Sequence, residues 1–234
     1  MLLKLMRSKT VAPGVMSFWF EVTKKVDFKP GQFANVNLAV QGDVHNGLRS
    51  FSISSSPTEK GQLLFTTKIS QSVFKQKLAT LRKGDPVEIT WPFGNFTLQE
   101  NYDKKAIMVI GGIGITPIRS MVKFATDEKL PLEITVLYSN KTPEELVYFS
   151  ELNQLQKKNP NLKVVHTITR PEESKKKWTG RTGRIDEAML REFSQPDAIY
   201  YVCGPPAMVQ TLKMMILSIG VKEGNIRSEE FTGY

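Results

Sequence analysis

Ala106-Ile107-Met108-Val109-Ile110-Gly111-Gly112-Ile113-Gly114-Ile115-Thr116-Pro117 decides the fold of the second half of this 234-residue chain. Five apolar residues make a buried strand, three glycines make a tight turn, and Thr116-Pro117 opens a helix. The glycines let a ligand come close to backbone N–H groups. Thr116 can cap the helix, and Pro117 can occupy its first turn at little cost. A helix start of this kind faces an anion, with a pyrophosphate as the expected one. A tight strand-to-helix connection without a ligand is the other reading. The apolar run ends at Ile115 and is too short to cross a bilayer.

Towards the C-terminus the same alternation continues. Leu132 to Tyr138, Val164 to Thr167 and Ala198 to Cys203 read as strands, and Ile118 to Phe124, Pro143 to Lys157, Asp186 to Phe193 and Ala207 to Ile219 as amphipathic helices. Strands that alternate with helices build a parallel sheet, and such sheets bind ligands at the carboxyl ends of their strands. The last strand ends in Tyr201-Val202-Cys203-Gly204-Pro205-Pro206-Ala207-Met208, which puts Cys203 and Gly204 at such an end. Nothing near Cys203 in sequence depresses its pKa, so no nucleophile is expected there.

Towards the N-terminus the periodicity drops to two. Ser17 to Val22, Gln32 to Leu38, Leu63 to Ile69 and Pro86 to Thr90 alternate between turn signals at Pro30-Gly31, Gln41-Gly42, Lys60-Gly61 and Lys83-Gly84-Asp85. That spacing predicts an all-β antiparallel barrel. Ser72 to Leu81 interrupts it as a helix behind Ser72 as N-cap, with Phe74, Leu78 and Leu81 at helical spacing. The boundary falls in Gln99 to Asp103.

Within the barrel half, Gly47-Leu48-Arg49-Ser50-Phe51-Ser52-Ile53-Ser54-Ser55-Ser56-Pro57 is the stretch most informative about ligands. In an extended segment Arg49, Phe51 and Ile53 share one face, and Ser50, Ser52 and Ser54 the other. A guanidinium suits a phosphate, and a Phe two residues on offers a face to a conjugated ring. A flavin nucleotide fits that pair, and an ordinary polar strand is the alternative.

Cys203 is the only cysteine, which excludes an intramolecular disulfide and any iron-sulfur cluster held by four thiolates of this chain. His45 and His166 stand without clustered acids, so no metal site is expected. The net charge of +9 divides into +7 for residues 1 to 98 and +2 for the rest. No basic helix, zinc-finger spacing or RNP-like strand accompanies that charge, so an acidic protein is the expected partner rather than nucleic acid. The N-terminus interleaves Lys4, Arg7 and Lys9 with short apolar pieces and lacks a signal-peptide core, so a cytoplasmic protein without membrane insertion is expected.

Three motifs in order, Arg49 to Ser52, Gly111 to Pro117 and Cys203 to Met208, on a barrel followed by an α/β domain, resemble the ferredoxin-NADP reductase superfamily. The resemblance runs from Phe28-Lys29-Pro30-Gly31-Gln32-Phe33 through Pro92-Phe93-Gly94-Asn95-Phe96 to Glu229-Glu230-Phe231. It implies a six-stranded Greek-key β-barrel for FAD over residues 1–98, a doubly wound parallel sheet for NAD(P) over 104–228, and a tail, 229–234, that meets the flavin.

The resemblance also implies roles. Arg49 and Ser50 belong to the FAD-binding strand, with Arg49 on the pyrophosphate. Phe51 would lie against the isoalloxazine, and Ser52 would hydrogen-bond near flavin N5. Thr67, Lys68 and Ile69 match a strand whose backbone contacts flavin, and Ser72 matches the cap of a diphosphate-binding helix. Ser70-Gln71 stands where glycines are common in the family, which leaves FMN as the alternative to FAD. Gly111, Gly112, Gly114 and Thr116 would take the nicotinamide dinucleotide pyrophosphate. Cys203, with Gly204, Pro205 and Met208, would lie near nicotinamide C4, and Glu229 and Phe231 beside the flavin. Thr232-Gly233-Tyr234 extends past that aromatic and could alter how freely it moves. Ser139, Asn140 and Arg170, with Lys141 and Lys175 nearby, fall where the adenosine ribose is expected. Their cations favour NADPH slightly over NADH.

The activity implied is hydride transfer between NAD(P)H and FAD, followed by delivery of electrons to a separate acceptor such as an acidic ferredoxin or flavodoxin. A reductase of free flavin or ferric chelates, and a flavin subunit of a larger complex, are the competing readings.

Overall fold

The computed structural model describes residues 1–23, 27–43 and 45–232. They form two compact units, one of Met1–Leu98 with Thr116–Phe124, the other of Gln99–Ile115 and Ala125 onward.

The first unit carries β1 (Leu2–Ala12), β2 (Val15–Glu21), β3 (Phe33–Asn37), β4 (Leu48–Ser52), β5 (Gln62–Lys68), α1 (Val73–Ala79) and β6 (Pro86–Phe93). All its strand pairs are antiparallel, in the Greek-key order β4-β3-β6-β1-β2-β5. Just past β4 the two ends of the sheet meet. Ser54 N–H donates to the Leu64 carbonyl at 2.8 Å, and Leu64 N–H donates to Ser55 Oγ at 3.0 Å. Alternate residues fill the interior, among them Leu3, Leu5, Phe18, Phe20, Val36, Leu63, Phe65, Val87 and Ile89, with Phe74 and Leu78 of α1 packed into the same core.

The helix forms as its sequence predicts. Ser72 Oγ accepts from Lys75 N–H at 3.3 Å, which satisfies one of the amides that a helix start leaves without a partner. β1 lies outside the runs that alternation singled out, because its lysines break an apolar reading. Leu3 and Leu5 nonetheless point inward while Lys4, Arg7 and Lys9 stay outside. Arg7 lies over the Trp19 ring, 4.0 Å from its centroid.

The second sheet is built from β7 (Ala106–Gly111), β8 (Ile134–Asn140), β9 (Leu162–Ile168), β10 (Arg181–Thr182), β11 (Ile199–Gly204) and β12 (Ile226–Glu230). The strands are parallel in the order β10-β9-β8-β7-β11-β12. The remaining helices are α2 (Ile115–Asp127), α3 (Phe149–Lys158), α4 (Glu187–Phe193) and α5 (Pro206–Ser218). All six residues of β7 and of β11 are buried, as expected for central parallel strands. The chain moves outward from β7 through β8 and β9, then returns to lay β11 on the other side of β7. The switch point of the sheet is therefore between β7 and β11, where open α/β sheets take their ligands.

Two elements differ from the sequence pattern. The single helix expected from Pro143 is a 3-10 turn over Pro143–Glu145, then α3, with Tyr148 between them at a φ of 62°. A proline followed by two acids favoured one long helix on paper, but Leu146 and Val147 are buried and turn the chain first. Glu229 and Glu230, read as part of a tail, end the edge strand β12. Among the described residues no helix is long and apolar enough to cross a membrane.

Candidate functional site

In the barrel unit the site residues start on β4, a strand with only one full neighbour, β3. Its alternation is as predicted. Arg49 lies over the Phe74 ring at 5.0 Å, Phe51 packs against Phe65 and Phe74 with centroids 6.3 and 6.0 Å away, and Ile53 lies in the core. Ser50 points the other way and donates to Asn35 Oδ1 at 2.7 Å, and Ser52 is buried.

Arg49 is held by a residue that the sequence did not single out. Its two terminal nitrogens donate to Asp43 at 2.6 and 2.8 Å, and one of them also to the Leu48 carbonyl. The Asp43 side chain is only 3% exposed and also accepts from the N–H groups of Gly47 and His45. The Arg49 hydrogen bonds, helped by those amides, hold the Asp43 carboxyl well below the usual carboxylate range.

Beside Phe51 sits a second cation, Lys75 of α1. Its ammonium lies 4.4 Å from the Phe51 centroid and donates to Thr67 Oγ1. Burial, and then the nearby Arg49 charge, bring its pKa down to about 8. Thr67 and Lys68 close β5. The Ile69 amide is already used, donating to the Gly14 carbonyl at 2.8 Å.

The serine run after β4 is a structural feature. Ser54, Ser55 and Ser56 are all buried. The Ser54 carbonyl accepts from Arg119 at 2.7 Å and the Ser55 carbonyl from Ser120 Oγ at 2.7 Å. Arg119 also makes a two-point pair with Glu59, at 2.6 and 3.0 Å. Burial raises the Glu59 pKa, but the Arg119 hydrogen bonds and charge outweigh it and the net direction is down. These serines thus tie Thr116–Phe124 to the barrel within one unit.

In the α/β unit the glycine turn lies at the sheet's switch point. Gly112–Gly114 form a 3-10 turn ahead of α2, and Thr116 is buried in the helix's first turn. A Cβ on Gly114 would stand 2.5 Å from the Cys203 carbonyl oxygen and 2.9 Å from Gly204 N, and one on Gly111 would stand 2.2 Å from Met208 Sδ. Gly114 is therefore required by the approach of the turn to the β11 end, in addition to any approach by a ligand, whereas at Gly111 the neighbour is the flexible end of a methionine. Cys203 is fully buried. Burial and then the Glu229 charge push its thiol up, as expected for a group that is not a nucleophile. Pro205 and Pro206 end β11 and start α5.

At the carboxyl end of β8, Ser139 is paired in register with Gly111 on one side and Thr167 on the other. Asn140 is 5% exposed, and neither its side-chain oxygen nor its nitrogen reaches a hydrogen-bond partner. The Tyr138 hydroxyl is likewise buried without a hydrogen-bond partner; burial pushes its pKa up, and the nearby Asn140 amide partly offsets that. Arg170 is half exposed and pairs with Glu173 at 3.1 Å. Lys141 and Lys175 are exposed.

Glu229 lies opposite Cys203 in the β11–β12 ladder, and the Phe231 amide extends that ladder by donating to the Gly204 carbonyl at 2.9 Å. Gly233 and Tyr234, also part of the expected tail, lie outside the described residues.

Sequence reading missed Asp43, Lys75, and the Arg119–Glu59 pair. For Asp43 a signal existed: an aspartate four residues ahead of a glycine can accept the turn's own amides. For Lys75 the only signal was its place one residue after the buried Phe74.

A family model for oxidoreductase FAD-binding domains matches residues 2–98, and one for oxidoreductase NAD-binding domains matches residues 108–214. A subunit of the Na(+)-translocating NADH-quinone reductase of Methylococcus capsulatus is 31% identical over 208 residues, covering 80% of this chain and 49% of that protein. The glycine betaine monooxygenase reductase subunit of Chromohalobacter salexigens is 28% identical over 209 residues, covering 87% and 56%. The chain thus spans about half the length of these relatives. The FAD/NAD-binding domain of nitric oxide dioxygenase from Vibrio cholerae superposes with a TM-score of 0.86 at 20% identity, over 98% of both chains. A ferredoxin NADP+ reductase from Neisseria gonorrhoeae, with bound FAD and NADP, superposes at 0.81 and 20% identity, again over 98% of both. These superpositions show the fold. With an FAD-binding domain and then an NAD-binding domain accounting for nearly all of its length, the chain belongs to the ferredoxin-NADP reductase-like family of flavin-dependent NAD(P)H oxidoreductases.

Proposed function

We propose that this chain passes hydride from NAD(P)H to FAD and delivers the electrons to a separate acceptor protein. The observation that carries the reading is the pair of domains on one chain, one for each nucleotide.

The residues fit both groups. Arg49 over the Phe74 ring and Lys75 over the Phe51 ring are two cations against one carboxylate, the Asp43 that pairs with Arg49, so this face has positive charge left for a phosphate. The buried, unsatisfied Asn140 amide lies at a strand end, where a nucleoside hydroxyl would satisfy it. When bound, the flavin supplies two-electron acceptance and one-electron release.

The protein's own residues bind and orient. Arg49 retains donors beyond those given to Asp43 and takes a pyrophosphate oxygen. Phe51 offers its ring face, Ser50 and Ser52 flank it, and the Ser52 hydroxyl is the donor assigned to flavin N5. Thr67, Lys68, Ile69 and Ser72 line the adjoining edge. Gly111, Gly112, Gly114 and Thr116 hold the nicotinamide nucleotide pyrophosphate, and Ser139, Asn140 and Arg170 hold its adenosine end. Cys203, Gly204, Pro205 and Met208 shape the nicotinamide position. Glu229 fixes the β12 end there, and Phe231 yields to nicotinamide. Holding reacting atoms in attack geometry can supply roughly 7 to 11 kcal/mol of barrier reduction.

The +7 charge of residues 1–98 favours an acidic ferredoxin or flavodoxin as acceptor. A second reading, a flavin subunit of a larger assembly, is favoured by one observation: both relatives above are subunits by name. Reduction of an acidic ferredoxin by NADPH plus this chain, followed against ionic strength, tests the acceptor. A rate that falls steeply with salt supports it. A rate indifferent to salt, or far exceeded by that with free flavin or a ferric chelate, overturns it. Purification with a stoichiometric partner points to the subunit reading.

A further inference from the structure

We infer that Lys75 is the second phosphate-binding cation of the flavin site, engaging the pyrophosphate of FAD together with Arg49. This deepens the flavin reading and rests on it.

The ammonium occupies an unusual place. It is half buried on the face of Phe51, hydrogen-bonds only to the neutral Thr67 hydroxyl, and makes no ion pair among the described residues. The charge that acts on it is another cation, Arg49, which pairs with Asp43. A lysine usually keeps its head in water or beside a carboxylate. Drawing one down onto a ring beside a like charge is costly, and an anion arriving between Lys75 and Arg49 removes that cost. The loss of its hydration and the nearness of Arg49 lower the ammonium's pKa to about 8, so it remains mostly charged at neutral pH and gains from an anionic partner.

The sequence ahead of the helix points the same way. Ser70-Gln71 replaces the glycines that would open backbone amides to a phosphate. The Ser70 carbonyl is occupied by the Gln76 side chain at 2.8 Å, and the Ser70 and Ser72 hydroxyls face each other at 3.4 Å. A turn closed by its own side chains is a poor phosphate cradle. A cation three residues past Ser72 supplies the charge instead. Because Lys75 rests on the Phe51 face, seating of a flat ring there displaces it, and the four-carbon stem lets it swing to the phosphate.

Titration of FAD into apoprotein, followed by quenching of flavin fluorescence at low and high salt, tests this with wild type, Lys75→Met and Lys75→Arg. Unfolding curves of the three apoproteins confirm folding; Lys75→Met removes a poorly solvated charge and is expected to be no less stable. Lys75→Met should weaken FAD binding about 10- to 100-fold at low salt, as for loss of a charge-assisted hydrogen bond. The gap should narrow at high salt, and Lys75→Arg should stay within several-fold of wild type. Unchanged affinity in Lys75→Met, or a loss that salt does not reduce and Arg does not restore, overturns the role of Lys75. Failure of wild type itself to take FAD would overturn the underlying flavin reading instead.

Discussion

Arg49 and Asp43 form a two-point ion pair, with nitrogen to oxygen distances of 2.6 and 2.8 Å, on a carboxylate almost closed to solvent. The residue expected to meet a phosphate is thus already oriented by an acid six positions earlier in the chain. Because Asp43 titrates below its unfolded value, its contribution to stability is complete above about pH 4 and is lost as pH falls through the lower folded value. Urea-unfolding midpoints of wild type and Asp43→Asn should differ at pH 7 and converge on acidification. Arg49→Met strands a buried carboxylate, so it should be more destabilising than the double variant with Asp43→Asn.

The β7 to β11 approach gives a second test. In Gly114→Ala the new methyl meets the Cys203–Gly204 peptide, its carbonyl oxygen at 2.5 Å and its nitrogen at 2.9 Å, and backbone of this kind cannot rotate away. Chemical denaturation should show a loss of about 1 to 3 kcal/mol together with weaker NAD(P)H binding. Gly224→Ala, which meets nothing within 4 Å, should stay within about 0.5 kcal/mol of wild type.

His166 makes the stability depend on pH in the mildly acid range. Burial lowers its pKa to about 4, its ring packs against Phe149 with centroids 4.8 Å apart, and Nδ1 has no partner. Between the unfolded value near 6.5 and about 4, the unfolded chain binds the extra proton, so stability falls as pH falls across that window. The effect can reach roughly 3 kcal/mol. His166→Phe should flatten this dependence, measured as unfolding free energy from pH 7 to 4.

The sequence made the two architectures legible because their periods differ: two in Leu63 to Ile69, and buried strands alternating with helices from Ala106 onward. It concealed β1, since Lys4, Arg7 and Lys9 are outward positions of an alternating strand whose inward ones are few. Ser54 to Ser56 belong to a stretch that reads locally as a polar, serine-rich strand end, yet they are buried, and the Ser54 carbonyl accepts from Arg119, 65 positions away. Such distant pairing has no local signature. Gly111 and Gly114 read as places for a ligand to approach; the neighbours that the fold itself brings there, Met208 and Cys203, come from a helix and a strand about ninety residues on. Asp43 and Lys75 were passed over because a lone acid in a turn and a lone lysine on a helix usually face solvent.

The most direct test of the account is the absorbance spectrum of the purified chain reconstituted with FAD, recorded anaerobically before and after NADPH and, separately, NADH. The account predicts a bound-flavin spectrum that bleaches on mixing with at least one donor. A chain that stays colourless with both FAD and FMN, or a bound flavin that neither donor reduces, would contradict it.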